Sequence, residues 1–142
     1  MMNRKMQDHF QWRADLLLGG HSTELAEQYS FPLTLHLEDG TTLIVEDRQQ
    51  LIAMFEKWRI AWKSRGVSQA KVELVGIDEM PHGRYRIWTT VREYGATGFL
   101  LGQKSYVQRG RRTPRGIRTD TMEVIRQSAA ETFPQTADRA AD

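Results

Sequence analysis

A few side chains in this 142-residue sequence are of types that carry chemistry, and their spacing limits what that chemistry is. The histidines His9, His21, His36 and His82 show neither an HExxH pair nor any other metal-ligand spacing, so no metal site is expected. There is no cysteine, which removes disulfides, thiolate metal sites and a thiol nucleophile. His36 stands in a strand-like run and is a candidate base; the competing reading is a structural histidine held by its neighbours. Arg92 and Glu123 are a second candidate. Glu123 would act as a general base if burial raised its pKa, with Arg92 positioning a polar ligand. The plainer alternative is a cross-strand ion pair. Trp12, Trp58, Trp62 and Trp88 could stack a flat molecule or simply fill core and interface. Gly98-Phe99-Leu100-Leu101-Gly102 lacks the serine of a nucleophile elbow, and no glycine-rich phosphate loop is present.

The elements that must position these residues follow from periodicity. Three long strands stand out: Tyr85 to Tyr94, Phe99 to Arg109 and Ile117 to Ile125, joined by turns at Gly95–Gly98 and Gly110–Gly116. Strands this long must twist and curl, leaving a concave face to be filled. Lys5 to Leu18 is a helix with an apolar stripe of Met6, Phe10, Ala14 and Leu17, stopped by Gly19-Gly20. Ser22 is the expected N-cap of a short second helix that ends near Phe31, before Pro32. Leu33–Leu37 and Thr41–Val45 form a hairpin around Asp39-Gly40. Asp47 and Gln50 make a capping-box pattern at the start of a third helix, whose inner face is Leu51, Phe55, Trp58 and Trp62. Ala70 to Glu79 is a fourth strand of the long sheet. Residues 1–127 thus read as one domain, and 128–142 as a small, polar, flexible tail.

Composition excludes several classes. Hydrophobic residues are 39% and charged residues 27%, ordinary for a globular domain, and the formal charge is +2. Four arginines in the run Arg109 to Arg115 are read as a solvated hairpin tip, since no aromatic side chains interleave with them as stacking nucleic-acid readers require. No nucleic-acid partner is expected. No stretch approaches the roughly 18 apolar residues of a membrane span, and no signal peptide is visible, so the expectation is a cytoplasmic protein without membrane attachment.

Two helices, a small hairpin, a long helix and four long antiparallel strands is an order that resembles the nuclear-transport-factor-2-like superfamily. The opening Arg13-Ala14-Asp15-Leu16-Leu17-Leu18-Gly19-Gly20-His21-Ser22-Thr23-Glu24-Leu25-Ala26 and the strand entry Arg115-Gly116-Ile117-Arg118 resemble SnoaL-like and ketosteroid-isomerase-like members. The resemblance implies an α+β fold: a cone of curved mixed, mainly antiparallel sheet wrapped around N-terminal helices, the cystatin-like α+β barrel. The isomerases use a tyrosine on the first helix, an aspartate near the first hairpin and an aspartic acid on the penultimate strand. Those positions fall near Arg13, His36-Leu37 and Ser105, none of which carries that chemistry.

By the family register, Trp88, Arg92, Gln103, Ser105, Thr121 and Glu123 would line a pocket for an unknown small organic ligand, with Arg13 and Trp58 facing them from the helices. The opposite register, lined by Ile87, Thr89 and Val91, stays open. Neither face of the long strands is cleanly polar, so one is expected against helices and pocket and the other against a second copy of the chain. Three functional readings result: a homodimeric binder of a small, partly apolar molecule with no cofactor; an acid–base enzyme using Glu123, Arg92 or His36; and an interaction module whose pocket is filled by its own side chains.

Overall fold

The computed structural model describes residues 2–127; the expected tail at 128–142 lies outside the described residues. The chain runs α1 (Met2–Leu18), α2 (Ser22–Ala26), β1 (Tyr29–His36), β2 (Thr42–Val45), α3 (Arg48–Ser64), β3 (Gln69–Met80), β4 (Arg84–Tyr94), β5 (Leu100–Thr113) and β6 (Gly116–Gln127). The strands form one sheet in the order β2-β1-β6-β5-β4-β3, with β1 parallel to β6 and every other pair antiparallel. This is the expected mixed, mainly antiparallel sheet. It stays open at β2 and β3 rather than closing into a barrel.

The helices begin and end for local reasons. Asp47 accepts a hydrogen bond from the Gln50 N–H at 3.0 Å, and the Gln50 amide oxygen accepts from the Glu46 N–H at 2.8 Å. The capping box therefore closes one residue further back than its usual form. At α2 the cap differs from expectation: His21 occupies the N-cap position without a side-chain bond, and Ser22 instead donates to Glu56 of α3. The helix also stops at Ala26, and Phe31 and Pro32 lie within β1. Proline offers no N–H to the ladder, and the β1–β6 register is irregular between Tyr29 and Thr34, around it.

Helix α1 is docked on the sheet edge by two glutamines one turn apart. Gln11 accepts from the Val72 N–H at 2.8 Å and donates to the Ala70 carbonyl at 2.8 Å. Gln7 accepts from the Leu74 N–H at 2.8 Å and donates to the Val72 carbonyl. These bonds take up edge groups of β3 that no strand pairs, so the helix stands in for a seventh strand. Two apolar clusters then fill the concave side. One joins Leu16, Leu25, Leu33, Leu35, Leu51, Phe55 and Met122; the other joins Met6, Phe10, Val72, Tyr85, Ile87 and Ile117. Among the described residues, no helix is long and apolar enough to cross a membrane.

Candidate functional site

Between the two clusters the concave face leaves a cavity of about 260 Å³. Its floor is built from cross-strand rows. Thr89, Tyr106 and Val124 sit side by side on β4, β5 and β6, and Ile87, Gln108 and Met122 form the next row. Leu17 and Ala14 of α1, Leu25 of α2, and Phe55, Trp58 and Trp62 of α3 form the opposite wall. Half-buried Lys104 and exposed Arg65 mark the open end, while Gln108 and Arg13, both buried, mark the closed end.

Of the residues expected in a pocket, Arg13 and Trp58 do line the cavity. Trp88, Arg92, Gln103, Ser105, Thr121 and Glu123 do not: they alternate with the lining residues and project from the outer face. The opposite register is the one adopted, with Thr89 and Val91 in the lining and Ile87 in the core beside it. The reason is packing: helices α1 and α3 cover the side of the sheet that presents Ile87, Tyr85, Leu35 and Met122, the more continuously apolar set.

The expected Arg92–Glu123 pair is also not formed. Strand β5 lies between β4 and β6, and Arg92 is opposite Gln103 whereas Glu123 is opposite Val107. Arg92 instead bonds Glu73 at 2.9 Å and Gln103 at 3.2 Å, and Glu123 lies 3.9 Å from Arg109. Ser105 meets Thr90 at 3.0 Å, Thr121 donates to Asp120 at 3.0 Å, and Trp88 lies under the Arg86 guanidinium at 5.1 Å. His36 reaches the cavity edge, but its Nδ1 pairs with the Thr42 hydroxyl at 3.2 Å, and alternation puts its ring on the side away from Leu35. Trp62 joins Trp58 in the lining, and Trp12 is exposed.

The closed end is organised by Arg13, which is 4% exposed. Its Nε donates to His9 Nε2 at 3.0 Å. Nη1 donates to the Thr119 hydroxyl at 2.8 Å and to Gln108 Oε1 at 3.4 Å; Nη2 donates to the Gln28 and Ile117 carbonyls, each at 3.3 Å. The guanidinium also lies 4.7 Å from the Phe10 ring centre and 5.0 Å from that of Tyr29. Burial, followed by the positive charges of Arg13 and Arg118, lowers His9 from 6.5 to about 4, so the imidazole is neutral and free to accept. Burial raises the Tyr106 hydroxyl well above its ordinary value, with the Glu93 charge adding to the effect, so it keeps its proton as a donor.

Near the open end a buried carboxylate shapes the rim. Glu93, 2% exposed, accepts from Trp62 Nε1 at 3.0 Å and from Arg65. Gly102 faces it across the strand, where a methyl group would lie 2.8 Å from the carboxylate. Alternation along β5 puts Lys104, Tyr106 and Gln108 on one strand face, but does not say whether that face meets the cavity. His9, Glu93 and Thr119 were not singled out for the site. The four-residue spacing of His9 and Arg13 on one helix was the available signal for the first of these. Among the described residues lining the cavity, none is Asp or Glu.

No family model and no curated protein sequence matches the chain. Solved structures do. Aln2 from a Streptomyces species superposes with a TM-score of 0.65 at 15% identity, over 85% of this chain and 87% of its own. An NTF-2 like protein of unknown function from Shewanella oneidensis gives 0.66 at 8% identity, over 87% and 98%. ActVI-ORFA from Streptomyces coelicolor gives 0.64 at 11% identity, over 87% and 96%. With its element order, its open mixed sheet and these superpositions, the chain has the cone-shaped fold of the nuclear-transport-factor-2-like superfamily.

Proposed function

We propose that this chain is a cytoplasmic, SnoaL-like small-molecule-binding domain that holds a partly apolar organic molecule in the cone, with no catalytic step of its own. The observation that carries the reading is the cavity itself: about 260 Å³, walled by Leu17, Leu25, Phe55, Trp58 and Val91, with a few convergent polar groups at its closed end. An unfilled space of this size argues against an interaction module plugged by its own tryptophans. An acid–base enzyme would need a carboxylate or imidazole at the reacting atoms. The candidates Glu123 and Arg92 project from the outer face, and His36, at the cavity edge, pairs with the Thr42 hydroxyl, which favours binding without catalysis.

The outer face supports the self-association half of the proposal. On the outer face Ser105 lies beside Thr90 and Val107, both already buried within the single chain, with Trp88 flanking them and Arg86, Arg92, Arg109 and Glu123 around them. A low-charge centre inside a charged rim is the anatomy of a protein interface, and a second copy of this chain is the proposed occupant.

The ligand reading is tested on protein purified from its own source. Native mass spectrometry is expected to release a small organic molecule, with matching crystallographic density between Trp58 and Tyr106. Protein that releases nothing and shows an empty cone overturns the reading.

A further inference from the structure

Resting on that small-molecule reading, we infer that the cavity selects an organic acid: a largely apolar molecule with one anionic oxyacid group, seated on the Gln108 amide at the Arg13 end. Arg13 has five N–H donors, and each meets an acceptor that is neutral: an imidazole nitrogen, a hydroxyl, a side-chain amide and two backbone carbonyls. Among the described residues no carboxylate bonds it. Buried cations are ordinarily paired with an anion. Here dipoles and two aromatic faces hold the guanidinium in place, and they leave its charge un-neutralised beside the cavity.

The same bonds decide which way Gln108 points. Its Oε1 accepts from Arg13 at 3.4 Å and from the Thr119 hydroxyl at 3.2 Å, and Thr119 can donate because its own oxygen accepts from Arg13. With the oxygen fixed on two donors, the amide NH2 lies on the other side. Among the described residues it has no acceptor. Tyr106, two residues along the same strand face, and Thr89, directly opposite Tyr106, bring further hydroxyls to the floor. Lys104 adds positive charge at the open end, where Arg65 is paired with the buried Glu93, and no Asp or Glu among the described residues lines the cavity itself. The charge of Arg13 at the closed end and of Lys104 at the open end, over an apolar wall, is the field an amphiphilic anion would follow inward. A neutral ligand would use the wall and waste the field.

The test is a fluorescence titration of the full chain with two dyes of the same aromatic shape: anilinonaphthalene sulfonate, an anion, and phenylnaphthylamine, its neutral counterpart. The anion is expected to bind about tenfold tighter or better. Gln108→Glu, which supplies Arg13 with a carboxylate, is expected to abolish that preference while the neutral dye keeps its affinity. Should that variant fail to fold by circular dichroism, Gln108→Met removes the amide donors without adding charge and is expected to weaken only the anion, by about tenfold. Equal affinity of the two dyes overturns the selection for acids and leaves the cavity reading standing. So does an anion preference that survives both substitutions, since it would come from the surface. Binding of neither dye overturns both.

Discussion

A cation sealed inside a protein is held either by an opposite charge or by dipoles, and Arg13 is held by dipoles. One of these is an imidazole that must stay neutral to serve. His9 titrates ordinarily near 6.5, and burial with two arginines nearby brings it to about 4 in the fold. The folded pKa is the lower one, so the unfolded chain binds the extra proton between these values. Stability attributable to His9 is therefore complete above pH 6.5 and is lost progressively as pH falls toward about 4. The ring is partly exposed, so solvent screening limits the effect to about 1–2 kcal/mol. Urea unfolding at several pH values should show this loss in the native chain and a flatter profile in His9→Gln, which keeps an acceptor but does not titrate. Equal pH profiles would show that His9 is not the group responsible.

At the scale of the element, the instructive strand is β5. Glycine and proline density makes Gly110 to Gly116 look like a turn, yet the strand continues to Thr113 and Gly110 pairs with Thr119 at a register shift. The same residue type serves turns and strand irregularities because both need backbone that a side chain would obstruct. Here the obstruction is measurable: a methyl group at Gly110 would lie 2.0 Å from the Arg118 carbonyl oxygen, an atom of the neighbouring backbone that cannot swing aside. Gly110→Ala is expected to cost about 3 kcal/mol or more in chemical denaturation. A loss below about 1 kcal/mol would mean that β5 and β6 part easily at this point. The shift matters to the site, because it brings Thr119 inward to meet Arg13 while Asp120 turns outward to Arg84 at 3.5 Å.

At the scale of the molecule, the helices cover one face of the sheet and leave the other face uncovered among the described residues. The proposed dimer predicts that Trp88→Glu, a charge placed on the outer face, yields monomers in sedimentation velocity with an unchanged circular dichroism spectrum. Because Trp88 projects away from the cavity, dye binding should persist in the monomer. A Trp88→Glu protein that still dimerises would move the interface elsewhere. Exposed apolar residues at the β4–β5 hairpin, Phe99 at 73% with Leu100 and Leu101, are the next surface to examine.

Local signals determined the order and type of elements: the Asp47 cap, the Asp39-Gly40 hairpin, the amphipathic stripe of α1 and the long β-branched and aromatic strands were all legible in the residues themselves. Alternation also divides β4 and β5 into their two faces, but on β6 the irregularity beside Asp120 breaks it, so that Ile117 and Thr119 lie on the same side as Met122. What alternation cannot state is which face turns inward, because a period of two is symmetric and both sets here mix apolar with charged side chains. Only the packing of α1 and α3 broke that symmetry. It sent Trp88, Arg92 and Glu123 outward and brought Thr89, Tyr106 and Gln108 in. Arg13 was visible as a helix residue facing the cone, but its partners come from His9, Gln28, Gln108, Ile117 and Thr119. These are spread over more of the chain than any local pattern spans, so the folded sheet alone could assemble them around one charge.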